Sequence, residues 1–338
     1  MVRLLARRSV GIVWVLFGIA VLTFVVVQLI PGDPARVAVG PEATPEMLDQ
    51  ARADLGLDRP LAVQFGRYVV RLVRGDLGTS LLTRRPVLAD LVDRYPATGE
   101  LTLASILLSA LVGIPLGVAS AVGRGRAVDH LTRLVALVGV SLPVFWLGLV
   151  LQWVFYGQLD WLPVGSRLPD GVPVPGRVSG AYLLDAVLQG QWSALVAVGR
   201  HMILPTVTLS TVTLALVMRI TRSEMLETLP KAYITTARSK GLSEWRVIGV
   251  HALRNAGPVI LTVIGLRLGT LFGGAVLTET VFSWPGVGLY AVSAVENKDF
   301  SAIMGFTLTL AVLYTVINLA IDVAYGWLDP RMSAEAAR

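Results

Sequence analysis

The sequence predicts an all-α, polytopic membrane protein with six transmembrane helices. Apolar residues make up 54% of its 338 residues and charged residues only 15%, and the mean hydropathy is +0.68. A soluble domain contains about 25% charged residues, because its water-facing surface needs them. The chain also contains six long apolar runs, and a helix of roughly 20 such residues crosses the hydrocarbon core of a bilayer.

The first predicted span is Ser9–Ile30, a run without any charged residue. A cleaved signal peptide also has a basic start, but its apolar region covers only about 7–15 residues, so this run is predicted to remain as a helix. Five further runs have the composition of spans: Leu101–Val122, Leu131–Tyr156, Ile203–Met218 with one more turn at either end, Pro258–Leu277 and Ile303–Tyr325.

The distribution of basic residues predicts that both chain termini are cytoplasmic. Short cytoplasmic loops are enriched in Lys and Arg. Three Arg residues precede the first span, and basic clusters follow the second and the fourth, whereas residues 158–199 contain only Arg167 and Arg177. The net charge of +6 is therefore assigned to cytoplasmic loops. We expect no nucleic-acid partner, since the sequence has no basic-aromatic groove or recognition motif.

This topology divides the chain into four segments. They are the amino-terminal tail and first span (1–30), an extracytoplasmic segment (31–96), a core transmembrane domain (97–326) with a cytoplasmic loop at about 222–256, and a cytoplasmic tail (327–338).

The extracytoplasmic segment is predicted to contain two helices. A capping residue followed by Pro and Glu starts a helix over Pro45–Leu55, and Gly56 ends it. Apolar residues at helical spacing predict another over Leu61–Arg74. This small helical cap is either a docking surface for an external partner or a passive insertion. In the second external segment, Leu162–Gly176 is rich in Pro and Gly, which predicts an irregular conformation.

The cytoplasmic loop is predicted to form a short helix, a tight turn and a second helix that leads into the fifth span. Pro230 suits the first turn of a helix, and Gly241 suits a left-handed cap. Ser243 is a candidate N-cap, with Glu244 at the positive end of the following helix. We expect its exposed surface to carry residues with small side chains, which would let another protein approach closely. These residues are Thr235, Thr236, Ala237, Ser239 and Gly241.

Several classes of chemistry are excluded by the residues themselves. The chain has no cysteine, and its three histidines lie far apart without a ligand pattern, so we expect no metal site. It has no phosphate-binding loop of the G-x-x-x-x-G-K-[ST] type, so any ATP must be bound by another chain.

The stretch Tyr233–Asn255 reads YITTARSKGLSEWRVIGVHALRN. It resembles the cytoplasmic loop of binding-protein-dependent ABC importer permeases, in the form found in the dipeptide, oligopeptide and nickel group. It matches the general family pattern only at Ala237, Gly241 and Leu253, and elsewhere it is similar to the peptide subgroup.

Further similar strings extend the resemblance over nearly the whole chain, and dipeptide permeases are the nearest group. These strings include LIPGDPA at Leu29–Ala35, LGLDRPL at Leu55–Leu61, GDLGTSL at Gly75–Leu81, YPATGELTLAS at Tyr95–Ser105, SLPVFWLGL at Ser141–Leu149, HMILPTVTL at His201–Leu209, ETVFSWPGVG at Glu279–Gly288 and LDPRM at Leu328–Met332.

The resemblance implies a type I importer fold in a bacterial inner membrane, and a transport subunit rather than an enzyme. It also implies a second, different permease subunit, two cytoplasmic ATPases that bind ATP and Mg²⁺, and an extracytoplasmic solute-binding protein. The chain itself would bind no cofactor. The residues implied to form the coupling helix that contacts an ATPase are Tyr233, Thr236, Ala237, Arg238, Lys240, Gly241, Leu242 and Ser243.

Two charged residues in the fifth span are candidates for the translocation path. Arg267 is predicted near mid-membrane, where a charge is costly unless it faces a cavity or a partner. It is either a path residue that meets a peptide carboxylate or a structural partner of Glu279, of Asp322 or of the second permease. Glu279 lies at the outer end of the span, and a structural anchor is the alternative to a path role.

Three function classes remain to be separated. The first is an ATP-driven importer of peptides that works by alternating access, with nickel chelates or glutathione as alternative substrates. The second is a self-contained secondary transporter, which would require inverted repeats and paired ionisable groups in broken helices. The third, an intramembrane enzyme, would need a nucleophile–base pair or metal ligands. The sequence shows no convincing sign of the second or third class.

Overall fold

A computed structural model describes the backbone of residues 2–29, 33–40 and 42–328. The side chains of residues 2–10, 34, 37, 38, 55 and 322–328 lie outside this description. Every regular element in the described ranges is helical, apart from one isolated bridge between Thr79 and Pro86. The predicted all-α class is therefore confirmed for this part of the chain.

The described helices, in chain order, are α1 (Val2–Leu29), α2 (Pro34–Val39), α3 (Pro45–Leu55), α4 (Leu61–Val73), α5 (Val87–Val122), α6 (Ala127–Ser141), α7 (Val144–Gln152), α8 (Tyr182–Leu188), α9 (Trp192–Thr228), α10 (Ala232–Ser239), α11 (Glu244–Arg246), α12 (Leu253–Val281), α13 (Val287–Glu296) and α14 (Phe300–Leu328). Two π-helical segments, Trp153–Gln158 and Val247–Ala252, extend α7 and lead into α12.

Five unbroken helices are long and apolar enough to cross a membrane. They contain the described ranges Gly11–Leu29, Val87–Val122, Trp192–Thr228, Glu244–Val281 and Phe300–Ile321. A sixth crossing is made only if the bent pair α6–α7 counts as one span. Many large apolar side chains on these helices are exposed at the surface of the isolated chain, as lipid-facing or partner-facing residues must be.

The predicted third span over Leu131–Tyr156 is not one straight helix in the structure. The run is broken after Ser141, and the two halves are bent by 103°. The cause is Pro143, which cannot continue the helix and forces its predecessor out of the helical region. Leu142 accordingly has extended backbone angles of φ −84° and ψ 133°.

Several helices extend beyond the apolar runs that predicted them. α5 begins at Val87 rather than Leu101, and α9 covers Trp192–Thr228 rather than Ile203–Met218. Hydropathy detects the part of a helix that suits lipid, whereas the backbone hydrogen bonds continue into the flanking polar turns. The segment boundary placed between residues 96 and 97 consequently falls inside α5.

The centre of the fold is the close pair α5 and α9. Gly113 and Gly117 on α5 face α9, and the hydroxyl groups of Ser105 and Ser109 donate across the gap to the carbonyls of Thr206 (3.4 Å) and Ser210 (3.3 Å). Small residues let membrane helices approach closely, and hydroxyl groups link them by hydrogen bonds. This pair provides the scaffold for the other spans, with α12 packed against both of its members.

The segment after α1 forms a small cap of three helices. The predicted helix Pro45–Leu55 is confirmed: Thr44 Oγ1 accepts from Met47 N at 3.4 Å, and Gly56 ends it at φ +69°. α4 ends at Val73, one residue before the predicted end. α2 was not predicted, although Asp33 caps it in the usual way by accepting from Ala35 N at 3.0 Å.

The second connecting segment is irregular where the sequence predicted it. Residues 162–176 form no helix, whereas the later part of 158–199 contains α8 and the first turns of α9.

Candidate functional site

The first candidate site is the elbow, which we define as residues 231–246 with α10, a tight turn and α11. One face of α10 is fixed to the spans. Ile234 is fully buried and Ala237 is 6% exposed, and both pack with Met225 of α9 and Ala256 of α12. Hydrophobic burial therefore joins the elbow to the ends of two spans.

The turn of the elbow has the predicted helix–Gly–helix form. Gly241 has a φ of +74°, a conformation that glycine adopts without a steric penalty. The guanidinium of Arg238 donates to the carboxylate of Glu244 through Nε (2.8 Å) and Nη2 (3.3 Å), which ties the two helices across the turn. Ser243 occupies the N-cap position, but its side chain makes no capping hydrogen bond. Pro230 lies before α10 rather than in its first turn.

The expected exposure of Ala237 is wrong, because this residue faces the spans. Of the eight residues implied to contact an ATPase, Leu242 is also partly buried in the same cluster. The remaining six are exposed: Tyr233, Thr236, Arg238, Lys240, Gly241 and Ser243. The sequence analysis missed Trp245, which is 84% exposed at the start of α11. A lone Trp in a polar loop is the signal that could have identified it.

The elbow continues without interruption into a span. Val247 and Ala252 are fully buried within the π-helical segment, and Ile260 is 2% exposed further along α12. All three belong to the apolar cluster that contains Ile234 and Met225. A force on the exposed face of the elbow would therefore act directly on α9 and α12.

A second linkage near the elbow was not predicted. Asp129 of α6 is 2% exposed, and its carboxylate accepts from Arg222 Nε (2.7 Å) and Nη2 (3.0 Å). Ser120 Oγ and Gly125 N complete its hydrogen bonds at 2.8 Å and 3.0 Å. This ion pair fastens the α5–α6 turn to the end of α9. Arg222 belongs to the basic cluster after the fourth predicted span, and no partner was predicted for it.

Arg267 lies at the midpoint of α12 and is partly exposed. It pairs with no acidic side chain among those that the structure describes. Glu279 is 12 residues further along the same helix, about 18 Å away, so the two do not pair. The side chain of Asp322 lies outside the described residues.

Glu279 is placed in the protein interior rather than on an open path. It is fully buried, and its carboxylate accepts from Thr98 Oγ1 (2.5 Å), Gly288 N (2.7 Å) and Leu289 N (3.0 Å). The last two are among the first amides of α13, where a negative charge is favourable. Glu279 therefore anchors α13 to the end of α12, and its assignment to the translocation path is not supported by its position.

A buried ion pair closes the same end of the bundle. Arg167 and Glu100 are 4% and 9% exposed and form a short ion pair. Leu183 N donates to Glu100 at 2.6 Å, and the Arg167 guanidinium lies 3.5 Å from the ring centroid of Tyr182. The indole of Trp284 donates to Ala97 O at 2.9 Å beneath this cluster. The two residues are 67 positions apart in the sequence, so no local sequence pattern predicted this ion pair.

The described residues contain no group of three or more His, Cys, Asp or Glu side chains that could hold a metal ion. The arrangement can couple movement between an exposed elbow and several spans.

Comparisons with known proteins agree with this arrangement. The family described as "Binding-protein-dependent transport system inner membrane component" matches residues 113–334, and "Binding-prot-dependent transport system membrane comp, N-term" matches residues 1–102. Both the resemblance and the type I importer fold predicted from it are thereby confirmed.

Curated relatives match over almost their whole length. The probable D,D-dipeptide transport system permease protein of Escherichia coli is 49% identical over 97% of each chain. The di/tripeptide transport system permease protein of Pseudomonas aeruginosa is 42% identical over 98% of this chain and 99% of its own. A glutathione transport system permease protein of Salmonella paratyphi A is 37% identical over 98% of each chain.

A family match that covers most of the spans and the elbow, together with full-length relatives above 30% identity, establishes the assignment. This chain belongs to the inner-membrane permease components of binding-protein-dependent transport systems.

Proposed function

We propose that this permease imports short peptides into the cytoplasm as one subunit of an ATP-driven complex. The observation that carries the proposal is the form of the elbow in a chain of this family. Its apolar face is fixed to α9 and α12, whereas Trp245 and Tyr233 are 84% and 40% exposed on the chain surface. Large exposed aromatic side chains are typical of protein interfaces.

In this proposal, the elbow contacts a cytoplasmic ATPase subunit that binds ATP and Mg²⁺. Closure of the ATPases moves the elbow, and the buried contacts of Ile234 carry that movement into two spans. The spans then alternate between outward-open and inward-open states. The basic residues that flank the elbow support a cytoplasmic location for it and for both chain termini.

Arg267 supports the presence of a second permease subunit. An arginine at the centre of a span is too costly to face lipid, so it faces a cavity or another protein. Its partly exposed position in the isolated chain fits a path or interface completed by a homologous but different permease. A solute-binding protein delivers substrate to the opposite side of the membrane.

The relatives favour peptides as the substrate. The first two relatives are described as dipeptide and di/tripeptide permeases, and the third as a glutathione permease. Glutathione is itself a modified tripeptide, so it is the second candidate. D,D-dipeptides deserve a separate assay, because the relative at 49% identity carries that description.

The test is uptake by the complete importer in proteoliposomes. Uptake of labelled L,L-dipeptides, D,D-dipeptides, tripeptides and glutathione would be compared. ATP would be enclosed in the vesicle lumen, on the side of the membrane where the ATPases lie. We expect ATP-dependent accumulation of at least one peptide class, and none with a non-hydrolysable ATP analogue. Accumulation without ATP, driven by an ion gradient, would contradict the proposal and favour a secondary transporter.

A further inference from the structure

A cavity of 750 Å³ lies between α1, α4 and α14, close to the point where α1 ends and α14 begins. Phe24 and Val27 of α1 form one wall, and Phe300 and Met304 of α14 form another. Both helices contain membrane spans. The cavity is therefore placed at the level where the hydrocarbon core meets the headgroup region.

Helix α4 supplies the third wall and has the character of a helix that lies in a membrane interface. Its apolar side carries Phe65, which contacts Phe17 and Phe24 of α1 edge-on at centroid distances of 6.2 Å and 5.3 Å. Arg67 and Arg71 lie four positions apart on α4, and Arg74 occupies its C-terminal cap. Aromatic and basic residues on opposite sides of a helix favour a position at the lipid headgroups.

Two of these arginines line the cavity without an acidic partner among the described side chains. Arg67 and Arg71 both contribute to its wall, and neither forms a salt bridge with any described side chain. The one carboxylate in the lining, Asp54, accepts a hydrogen bond from Gln50 Nε2 at 2.9 Å. Among the described lining residues, the polar end of the cavity therefore carries two guanidinium groups and one carboxylate, which leaves a net positive charge.

The cavity also contains a buried hydroxyl group without a partner. Tyr68 is 5% exposed and lines the cavity, and its Oη makes no hydrogen bond within the described residues. Burial raises the pKa of this phenol, while the nearby positive charge of Arg71 opposes the rise. A buried polar group without a partner lowers stability, so an occupant that satisfies it is expected.

We propose that this cavity is a binding site for an anionic phospholipid, which holds one acyl chain against the aromatic wall and its phosphate near Arg67 and Arg71. A lipid oxygen would accept the hydrogen bond from Tyr68. The apolar wall selects an acyl chain, which free phosphate lacks, and the two guanidinium groups select a negative headgroup. The site differs from the elbow and from the candidate path, so it goes beyond the proposed transport function.

The experiment is native mass spectrometry of the complete importer complex after delipidation. Dioleoyl phosphatidylglycerol would be titrated, with dioleoyl phosphatidylcholine and inorganic phosphate as alternative probes. We expect one tightly retained phosphatidylglycerol per copy of this chain, weaker retention of phosphatidylcholine and no competition by phosphate. Competition by inorganic phosphate would overturn the lipid assignment. Absence of retained lipid from the complex would mean that a protein subunit covers the cavity.

Matched variants separate this site from general surface charge. We expect Arg67→Gln/Arg71→Gln to lower phosphatidylglycerol retention on the order of tenfold, since each arginine near anionic lipid contributes appreciably to binding. Arg74→Gln removes one positive charge at the C-terminal cap of α4, outside the cavity, and we expect little change. Equal losses in both variants would show that only diffuse attraction is present.

Tyr68→Phe provides a test that does not depend on charge. The hydroxyl makes no hydrogen bond within the described protein, so its removal should weaken phosphatidylglycerol retention without lowering the thermal stability of the delipidated complex. Unchanged retention would show that no lipid oxygen contacts this hydroxyl and would overturn the proposal.

Discussion

Replacement of single glycines should measure how tightly α5 and α9 are packed. A Cβ atom at Gly117 would lie 2.6 Å from Thr221 Cβ and 2.7 Å from the Met218 carbonyl oxygen. At Gly113 the nearest atoms would be 3.1 Å away, and at Gly199 no atom lies within 4 Å. We therefore predict that stability decreases in the order Gly199→Ala, Gly113→Ala, Gly117→Ala.

The magnitude follows from the distances. Ordinary contact begins at 3.4 Å, so the Gly117→Ala variant must move the two backbones apart by most of an ångström. Overpacking of this kind costs about 1–3 kcal/mol. Each Gly→Ala change also gains about 1 kcal/mol of helix propensity, but this gain is shared by all three variants and cancels in the comparison.

The assay is reversible unfolding of the purified permease in detergent by titration with sodium dodecyl sulfate, followed by circular dichroism. We expect Gly117→Ala to be less stable than Gly199→Ala by about 1–3 kcal/mol, with Gly113→Ala between them. Equal stability of Gly117→Ala and Gly199→Ala would refute the close approach of α5 and α9.

Three further predictions concern topology, the elbow and the path. Because the chain has no cysteine, single cysteines can be probed directly: Thr79→Cys should react with an impermeant reagent from outside the cell and Ser239→Cys should not, and the reverse result would invert the orientation. Ala237→Glu buries a charge against the spans and should lower the yield of folded permease, whereas Thr235→Glu on the exposed face should fold normally; normal yield of the Ala237 variant would contradict its buried position. Arg267→Gln should reduce peptide uptake without loss of complex yield if the residue lines the path, whereas a reduced yield would indicate a structural pairing and unchanged values for both would remove it from the site.

Local signals in the sequence predicted those elements whose causes are local. The helix Pro45–Leu55 has its capping residues within a few positions, and the Gly241 turn needs only one residue that tolerates positive φ. The break after Ser141 was signalled by Pro143, but an apolar run scores the same hydropathy whether or not it bends. The apolar run therefore predicted helical structure over these residues but not the bend between the two helices.

The parts of the site that were missed depend on tertiary contacts. Arg222 and Asp129 are 93 residues apart, and only the packing of α9 beside α6 brings them together. The side of α10 that carries Ala237 could not be chosen from small residues alone, because small residues suit both a buried interface and an exposed one. Glu279 was a candidate for the path because of its charge, with a structural anchor as the alternative, and only the tertiary structure brings its carboxylate to the first amides of α13.

If the elbow couples this permease to an ATPase, substrate-stimulated ATP hydrolysis depends on the exposed aromatic side chains of the elbow. The complete importer would be assayed with and without peptide-loaded binding protein in three forms: wild type, Trp245→Ala, and Trp192→Ala. Trp192 is also exposed, at 66%, but lies at the opposite end of α9 and serves as the matched control. We predict that Trp245→Ala loses most of the stimulation, on the order of tenfold, as expected for an aromatic interface residue, whereas Trp192→Ala retains it. Full stimulation of ATP hydrolysis in the Trp245→Ala complex, with normal assembly, would show that Trp245 does not couple the permease to an ATPase.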